Sequence, residues 1–264
     1  MTASIVVGSW GVGGRVVDLG RPGRARFGAS RGGAVDVAAL RLGNRLVGNP
    51  ESTAGLETSG GLSIRCEVDA MVAVTGAVAE IATNGVPVGW GSPVVLRAGS
   101  TLRVTRLVAG ARAYLAVRGG LELIGDRLHV GPDPRTPAAS GPAVPSTFPT
   151  TARVWPGPRL DWFDTDTWES LCASRFTVSA TSRVGTRLDG PRLLRSVHGE
   201  LPSEGLIEGA VQVPPDGLPI VMLADHPTTG GYPVVAVVDP ADIVTLAQAA
   251  VGGTVRFVDA RRRG

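Results

Sequence analysis

Glycine constrains this chain more than any other residue. It fills 37 of 264 positions, about double its usual ~7% share, and it falls between short apolar runs. "GLSIRCEV", "AMVAVTG", "AEIATNG", "SPVVLRAGSTLRVTRLV" and "ARAYLAVRGGLEL" read as strands, with "TNG" and "AGS" as turns. The expected fold class is mainly β with a few helices. The length fits one large domain or two moderate ones, with ample room for a buried core.

Three segments read as helices. In "AVDVAALRLGNRLVGNP" (34–50), Ala39, Leu42 and Leu46 recur at three- and four-residue steps, Asp36 is placed to cap the start, and "GNP" stops it. "DTDTWESLCAS" carries acidic residues in its first turn, where the helix dipole favours them. In the third, Asp239 is the expected N-cap, Pro240 sits at N1, and Ile243, Leu246, Ala247 and Ala250 form one apolar stripe. Residues 131–153 carry six prolines and read as an extended loop or linker. The expected organisation is a β-rich half with one helix over 1–130, the linker, and a second β half with two helices over 154–264. Two short segments, "LRAGSTLRV" and "AAVGGTVRF", both read as turn-then-strand and faintly echo each other.

Every one of the 26 basic residues is arginine. Without lysine the chain holds no Walker A lysine, no Schiff-base amine and no biotinylation site of its own. The glycine-rich "GVGGR" (11–15) lacks the spacing and following helix of a phosphate loop and reads as a β-turn. The net charge is only +3, with acids and arginines interspersed, unlike the clustered basic face of a nucleic-acid binder. The terminal "RRRG" is expected to be a solvated tail. Cys66 and Cys172 are far apart and suggest neither a zinc site nor a disulfide framework. No signal-peptide pattern and no apolar run of membrane-spanning length occurs, so a cytoplasmic protein without a membrane partner is expected.

Four polar clusters interrupt this apolar pattern. "RGGAVD" (31–36) offers either an anion seat at a helix start or a simple cap at Asp36. "NRLVGNPESTAGLET" places Asn44, Asn49 and Glu57 near apolar strands, where turn and cap chemistry is the plainer reading. "SRVGTRLDG" brings Arg183 and Arg187, either able to clamp a carboxylate or phosphate. It runs on to Ser203, Glu204 and Gln212, and with no histidine beside Ser203 a serine triad is not indicated. "DHPTTGGYP" (225–233) crowds Asp225, His226, Thr228, Thr229, Gly230, Gly231 and Tyr232 between two hydrophobic strands. Its glycines let backbone amides approach a ligand. A tight turn bonding its own backbone is the alternative.

"DLGRPGRARFGASRGGAVDVAALRLGNRLVGN", "SRVGTRLDG", "SEGLIEGAVQVPPDGLPIVMLADHPTTGGYP" and "GGTVRF" together resemble the family of 5-oxoprolinase C subunits, also called KipA, allophanate hydrolase subunit 2 or the biotin-dependent carboxyltransferase-like family. The resemblance implies two cyclophilin-like β-barrel halves. It implies two partners, the 5-oxoprolinase B subunit (KipI-like) and the A subunit, with which the chain would open 5-oxoproline to glutamate using ATP. It marks Asp36, Asn44, Glu57, Arg187, Ser203, Glu204, Gln212, Asp225, Thr229 and Tyr232 as positions of interest. Asp36, Glu57, Glu204 and Asp225 become the expected catalytic carboxylates. Asn44, Arg187, Ser203, Gln212 and the Thr228–Tyr232 turn become the expected contacts to a small cyclic amide, the polar segments of both halves converging on one cleft. Two alternatives remain open: a KipA-like regulator that binds its partner without catalysis, and a urea or amide carboxylase module. After "YLAVRGGLEL" the chain has only "IGDRLHVGPDPRTP", where the family usually continues with an "LGSRST"-like segment and a longer loop.

Overall fold

The computed structural model describes residues 4–144 and 147–262. The chain divides into two compact units, Met1–Gly20 with Asp36–Thr147, and Arg21–Val35 with Phe148–Gly264. Residues 21–35 thus join the second unit although they precede most of the first. Both units are built on barrel-like sheets, and the fold is mostly β, as the glycine punctuation implies.

Among the described residues the first unit has ten strands: β1 (Ser4–Ser9), β2 (Arg15–Val17), β3 (Gly55–Thr58), β4 (Leu62–Cys66), β5 (Ala70–Thr83), β6 (Val86–Pro87), β7 (Val94–Leu96), β8 (Thr101–Val117), β9 (Leu121–Ile124) and β10 (Arg127–Val130). They form one sheet in the order β2-β3-β8-β4-β1-β10-β9, with β5 pairing β6, β7 and β8. The long β5–β8 ladder shifts register after Gly76. Ile5, Leu56, Leu62, Ile64, Leu102, Leu115 and Leu128 are buried among these strands. The short segment after Leu121 is the β9–β10 hairpin. Gly11 and Gly13 have φ of +69° and +64°, so "GVGGR" is a turn, in line with its sequence.

Helix α1 (Val37–Leu46) lies on β5 and β8. Close approach is possible because Gly43 presents no side chain. A Cβ there would sit 3.1 Å from both Ala116 Cβ and Thr75 Oγ1. Thr75 Oγ1 in turn donates to the Ala39 carbonyl at 2.7 Å.

In the second unit β11 (Thr151–Pro156), β12 (Arg175–Thr181), β13 (Gly185–Asp189), β15 (Ala210–Gln212), β16 (Ile220–Met222), β18 (Val234–Val238) and β19 (Thr254–Asp259) close into a barrel in the order β11-β18-β15-β16-β13-β12-β19. The closing β19–β11 pair is parallel; the others are antiparallel. Alternate residues such as Val154, Phe176, Leu188, Val221, Val235 and Phe257 fill the interior, as the two-residue strand period requires. Two short strands, β14 (Glu204–Gly205) and β17 (Thr229–Gly230), pair outside the barrel. Helix α2 (Thr167–Ala173) matches its expected segment. The last helix is shorter than its apolar stripe suggested. A 3-10 turn at Pro240–Asp242, capped by Asp239, leads into α3 (Ile243–Ala247). Ala250 lies beyond it, because Gly252 (φ +83°) and the Gly253 N–H to Ala250 carbonyl bond turn the chain toward β19.

Asp242 ties this turn to β11. Its Oδ2 accepts from both the backbone N–H and Nε of Arg153, each at 2.8 Å. These bonds hold its carboxyl below the usual range. A depressed folded-state pKa contributes stability that is present above the unfolded value near 4 and lost as pH falls below it. Acid titration of the chain should show stability declining below about pH 4. Asp242→Asn should make that decline shallower, and an unchanged slope would mean that Asp242 has no part in it.

Cys66 is buried, and desolvation raises its thiol to about 11. The C-terminal arginines are only partly the solvated tail expected. Arg261 pairs with Asp259 at 2.7 Å and lies over the Trp168 ring, while Arg263 and Gly264 fall outside the described residues. Among the described residues no helix is long and apolar enough to cross a membrane.

Candidate functional site

In the first unit the polar groups form a buried chain of hydrogen bonds. Asp36 caps α1, its Oδ1 accepting from Ala39 N–H at 2.9 Å. The Asp36 carboxylate therefore occupies the helix start that an external anion would otherwise seek. Asp36 N–H donates to Tyr114 Oη at 2.8 Å, and that hydroxyl donates to Glu57 Oε2 at 2.7 Å. Glu57 reaches Tyr114 because the β3–β8 register sets them directly opposite each other. All three residues are buried. Burial, followed by the Glu57 and Asp36 charges, holds the phenol well above its ordinary 10, so Tyr114 remains a donor at neutral pH. Arg112, also on β8, is buried as well.

Asn44, expected at the substrate, is fully buried. Its Nδ2 donates to the Thr53 carbonyl at 2.7 Å and the Glu51 carbonyl at 3.3 Å, and its Oδ1 accepts from Asn49 Nδ2 at 3.1 Å. Asn49 also binds the Val117 carbonyl and Gly119 N–H. The two asparagines hold the loop between α1 and β3, the turn chemistry that the residues themselves suggested.

In the second unit the 225–233 stretch distributes its polar groups. Asp225 follows β16, and its N–H donates to the Arg183 carbonyl in the β12–β13 turn. Arg183 returns a two-pronged contact, Nε to Oδ2 at 2.7 Å and Nη2 to Oδ1 at 2.9 Å, and Nη2 also reaches the Gly33 carbonyl at 2.5 Å. Such fork geometry is the strong form of carboxylate recognition. The 21–35 segment is pinned here twice more, by Gly32 N–H to the Ala224 carbonyl at 2.9 Å and by Arg31 to Glu208 at 2.9 Å. His226 is buried with Nδ1 2.7 Å from the Pro227 carbonyl.

Thr229 and Gly230 pair with Gly205 and Glu204, so the "PSEG" and "TTGG" segments meet in space. Thr228 supplies its carbonyl to Leu206 N–H. At Gly230 a Cβ would fall 2.7 Å from Leu206 Cδ1 and 2.8 Å from Gln212 Nε2, so both side-chain ends would have to shift. Gln212 is buried and donates to the Tyr232 carbonyl at 2.9 Å. Glu204 is ion-paired with Arg159, and that bond lowers its carboxyl from the ordinary value. Ser203, Thr229, Gly231 and Tyr232 are exposed. Arg187 lies on the outward face of β13, with Thr186 and Leu188 turned inward.

Of the expected residues the structure thus groups Asp36 with Glu57 in the first unit, and Glu204, Gln212 and 228–232 in the second, with Asp225 beside Arg183. Sequence reasoning missed Tyr114 and Arg159. A phenol inside the apolar run "ARAYLAV" was a usable signal for Tyr114. Nothing near Arg159 pointed to Glu204, 45 residues on.

The sequence matches the carboxyltransferase domain family, subdomain A and B, over residues 27–124 and 123–259. It is 36% identical to the 5-oxoprolinase C subunit of Escherichia coli strain K12, over 92% of this chain and 87% of that protein. It is 29% identical to urea amidolyase of Saccharomyces cerevisiae, over 90% of this chain but 16% of that much longer protein. Among solved structures, TTHA0988 superposes with a TM-score of 0.87 at 32% identity, over 98% of this chain and 56% of that one. The Kluyveromyces lactis urea carboxylase superposes at 0.89 with 24% identity, over 98% of this chain and 27% of that one.

Proposed function

The chain belongs to the carboxyltransferase domain family, subdomain A and B, and from that premise we propose that it serves as the C subunit of an ATP-dependent 5-oxoprolinase. The observation that carries this reading is the 36% identity to a 5-oxoprolinase C subunit along nearly the whole of both chains. The A and B subunits of that enzyme are the proposed partners. A lactam carbonyl is a poor electrophile. Phosphorylating its oxygen with ATP releases ADP and makes the carbon electrophilic; water adds there, the ring nitrogen leaves as the protonated amine, and a second water hydrolyses the resulting acyl phosphate to glutamate and phosphate. The protein's task is to orient water and substrate and to offer donors where negative charge develops.

The groups assigned to that task are the carboxylates of Asp225 and Glu57, with Tyr114 and Arg183 positioning them. Glu204, tied to Arg159 as Asp225 is to Arg183, and Asp36, engaged in its cap, complete the proposed set of carboxylates, each held in place by its partner. Thr228–Tyr232 and Gln212 frame the second-unit turn for an amide-bearing ring, with Ser203 and Arg187 at its periphery. The isolated chain is expected to be inactive.

The resemblance to urea amidolyase favours a second reading, carboxyl transfer to a small amide from a carboxybiotin carried by another chain. Labelled bicarbonate separates the two. Co-expressed with its A and B partners, the chain should leave bicarbonate label out of the product. Label appearing in the product would replace lactam opening by carboxylation. Tight binding to the B subunit without any turnover would instead support the regulatory, KipA-like role.

A further inference from the structure

The second unit carries a pocket of about 500 Å³ whose residues have no part in the proposed reaction. Its size is that of a small-molecule site. The walls are built rather than loose: Leu193 N–H donates to the Gly217 carbonyl, Asp164 N–H to the Leu194 carbonyl, and Arg195 bridges to Phe163. Arg192, Arg195 and His198 line the cavity together with apolar surface from Leu193, Val197 and Pro214.

Arg195 is the anomaly. Its Nε is buried and has no hydrogen-bond partner among the described residues, whereas buried polar groups are almost always satisfied. Among the described residues its side chain makes one hydrogen bond, from Nη2 to a neutral acceptor, the Val213 carbonyl. Burial lowers its affinity for its proton relative to an ordinary arginine, a shift that Tyr232 and Asp216 oppose only in part. Arg192 likewise spends its Nη1 on a carbonyl, that of Asp216. Two acids also line the pocket. Asp216 turns its Oδ1 to Leu218 N–H, and neither it nor Asp164 forms an ion pair with these arginines among the described residues. A planar guanidinium at the wall of a partly apolar cavity, bonded to no carboxylate among the described residues, fits an oxyanion.

We propose that this pocket binds a small organic oxyanion, a phosphate or carboxylate, through Arg195 with Arg192 beside it. Titrating the full chain with inorganic phosphate and separately with succinate, at constant ionic strength set with chloride, tests this by calorimetry. At least one probe should bind saturably, and which one does identifies the ligand's acid group. Arg195→Gln should weaken that binding about 10- to 100-fold, the worth of a charge-assisted hydrogen bond. Arg192→Ala, at an exposed position, should weaken it several-fold and carries the test should Arg195→Gln not fold. Arg195→Lys should not restore it, since an ammonium lacks the fork. Absence of saturable binding by both probes, or unchanged affinity in the folded variants, would overturn the proposal.

Discussion

Gly76→Ala should unfold the first unit far more easily than its single added methyl suggests. Gly76 sits where the β5–β8 ladder shifts register, at φ +77°. Alanine is strained there by about 1–2 kcal/mol. The new Cβ would also lie 2.5 Å from the Arg112 carbonyl oxygen, 2.9 Å from Tyr114 Cδ2 and 3.3 Å from Ala39 Cβ. The first is backbone inside a sheet and the second a fully buried ring, so neither can step aside cheaply. Overpacking of this kind adds about 1–3 kcal/mol. The expected loss is on the order of 2–5 kcal/mol, or roughly a 10 °C fall in melting temperature for a chain of this size. Gly125 is the control. It has a similar φ of +65° but open space around its Cβ, so Gly125→Ala should show only the backbone part. Equal losses in the two variants would mean that the close approach at Gly76 contributes nothing.

Arg183→Gln is the second large effect, and it should appear in turnover. In the complex with partner subunits the variant should lose about 10²- to 10³-fold in kcat, a loss on the scale of removing one oxyanion-hole donor. Arg183 fixes both carboxylate oxygens of Asp225 and the Gly33 carbonyl with one guanidinium. Glutamine can replace one of these contacts but not the fork. Lysine should fail similarly, because a point charge cannot bind both oxygens in a plane. The Asp225 side chain keeps 28% exposure, so solvent moderates the cost of leaving it unpaired. Melting temperature should therefore change much less than turnover. A variant with full turnover would reduce the Arg183–Asp225 pair to a structural clamp.

The strands and the first helix were legible because their signals are local. Asp36 three residues before Ala39, with Leu42 and Leu46 following, specifies a capped amphipathic helix, and α1 forms there. The turn at "TNG" was equally local: Asn84 and Gly85 both have positive φ. The last helix was overextended because Ala250 continues the apolar period, while the turn at Gly252 that ends the element lies beyond the stripe. Barrel closure was beyond local reading. It depends on Thr151–Val154 pairing with Arg256–Asp259, across a hundred residues. The candidate site divides the same way. The 225–233 stretch was visible from its composition, but the partners that give it meaning, Arg159, Arg183 and Gly33, come from distant segments. Asn44 shows how a polar residue in an apolar setting can bond within its own loop.

If this chain is the component that lets its partners open a lactam, reconstitution should show it directly. Purified A and B subunits, supplied with 5-oxoproline and ATP, should release little glutamate alone and should release it steadily once this chain is added. Glutamate formation by the partners at the same rate with and without this chain would contradict that role.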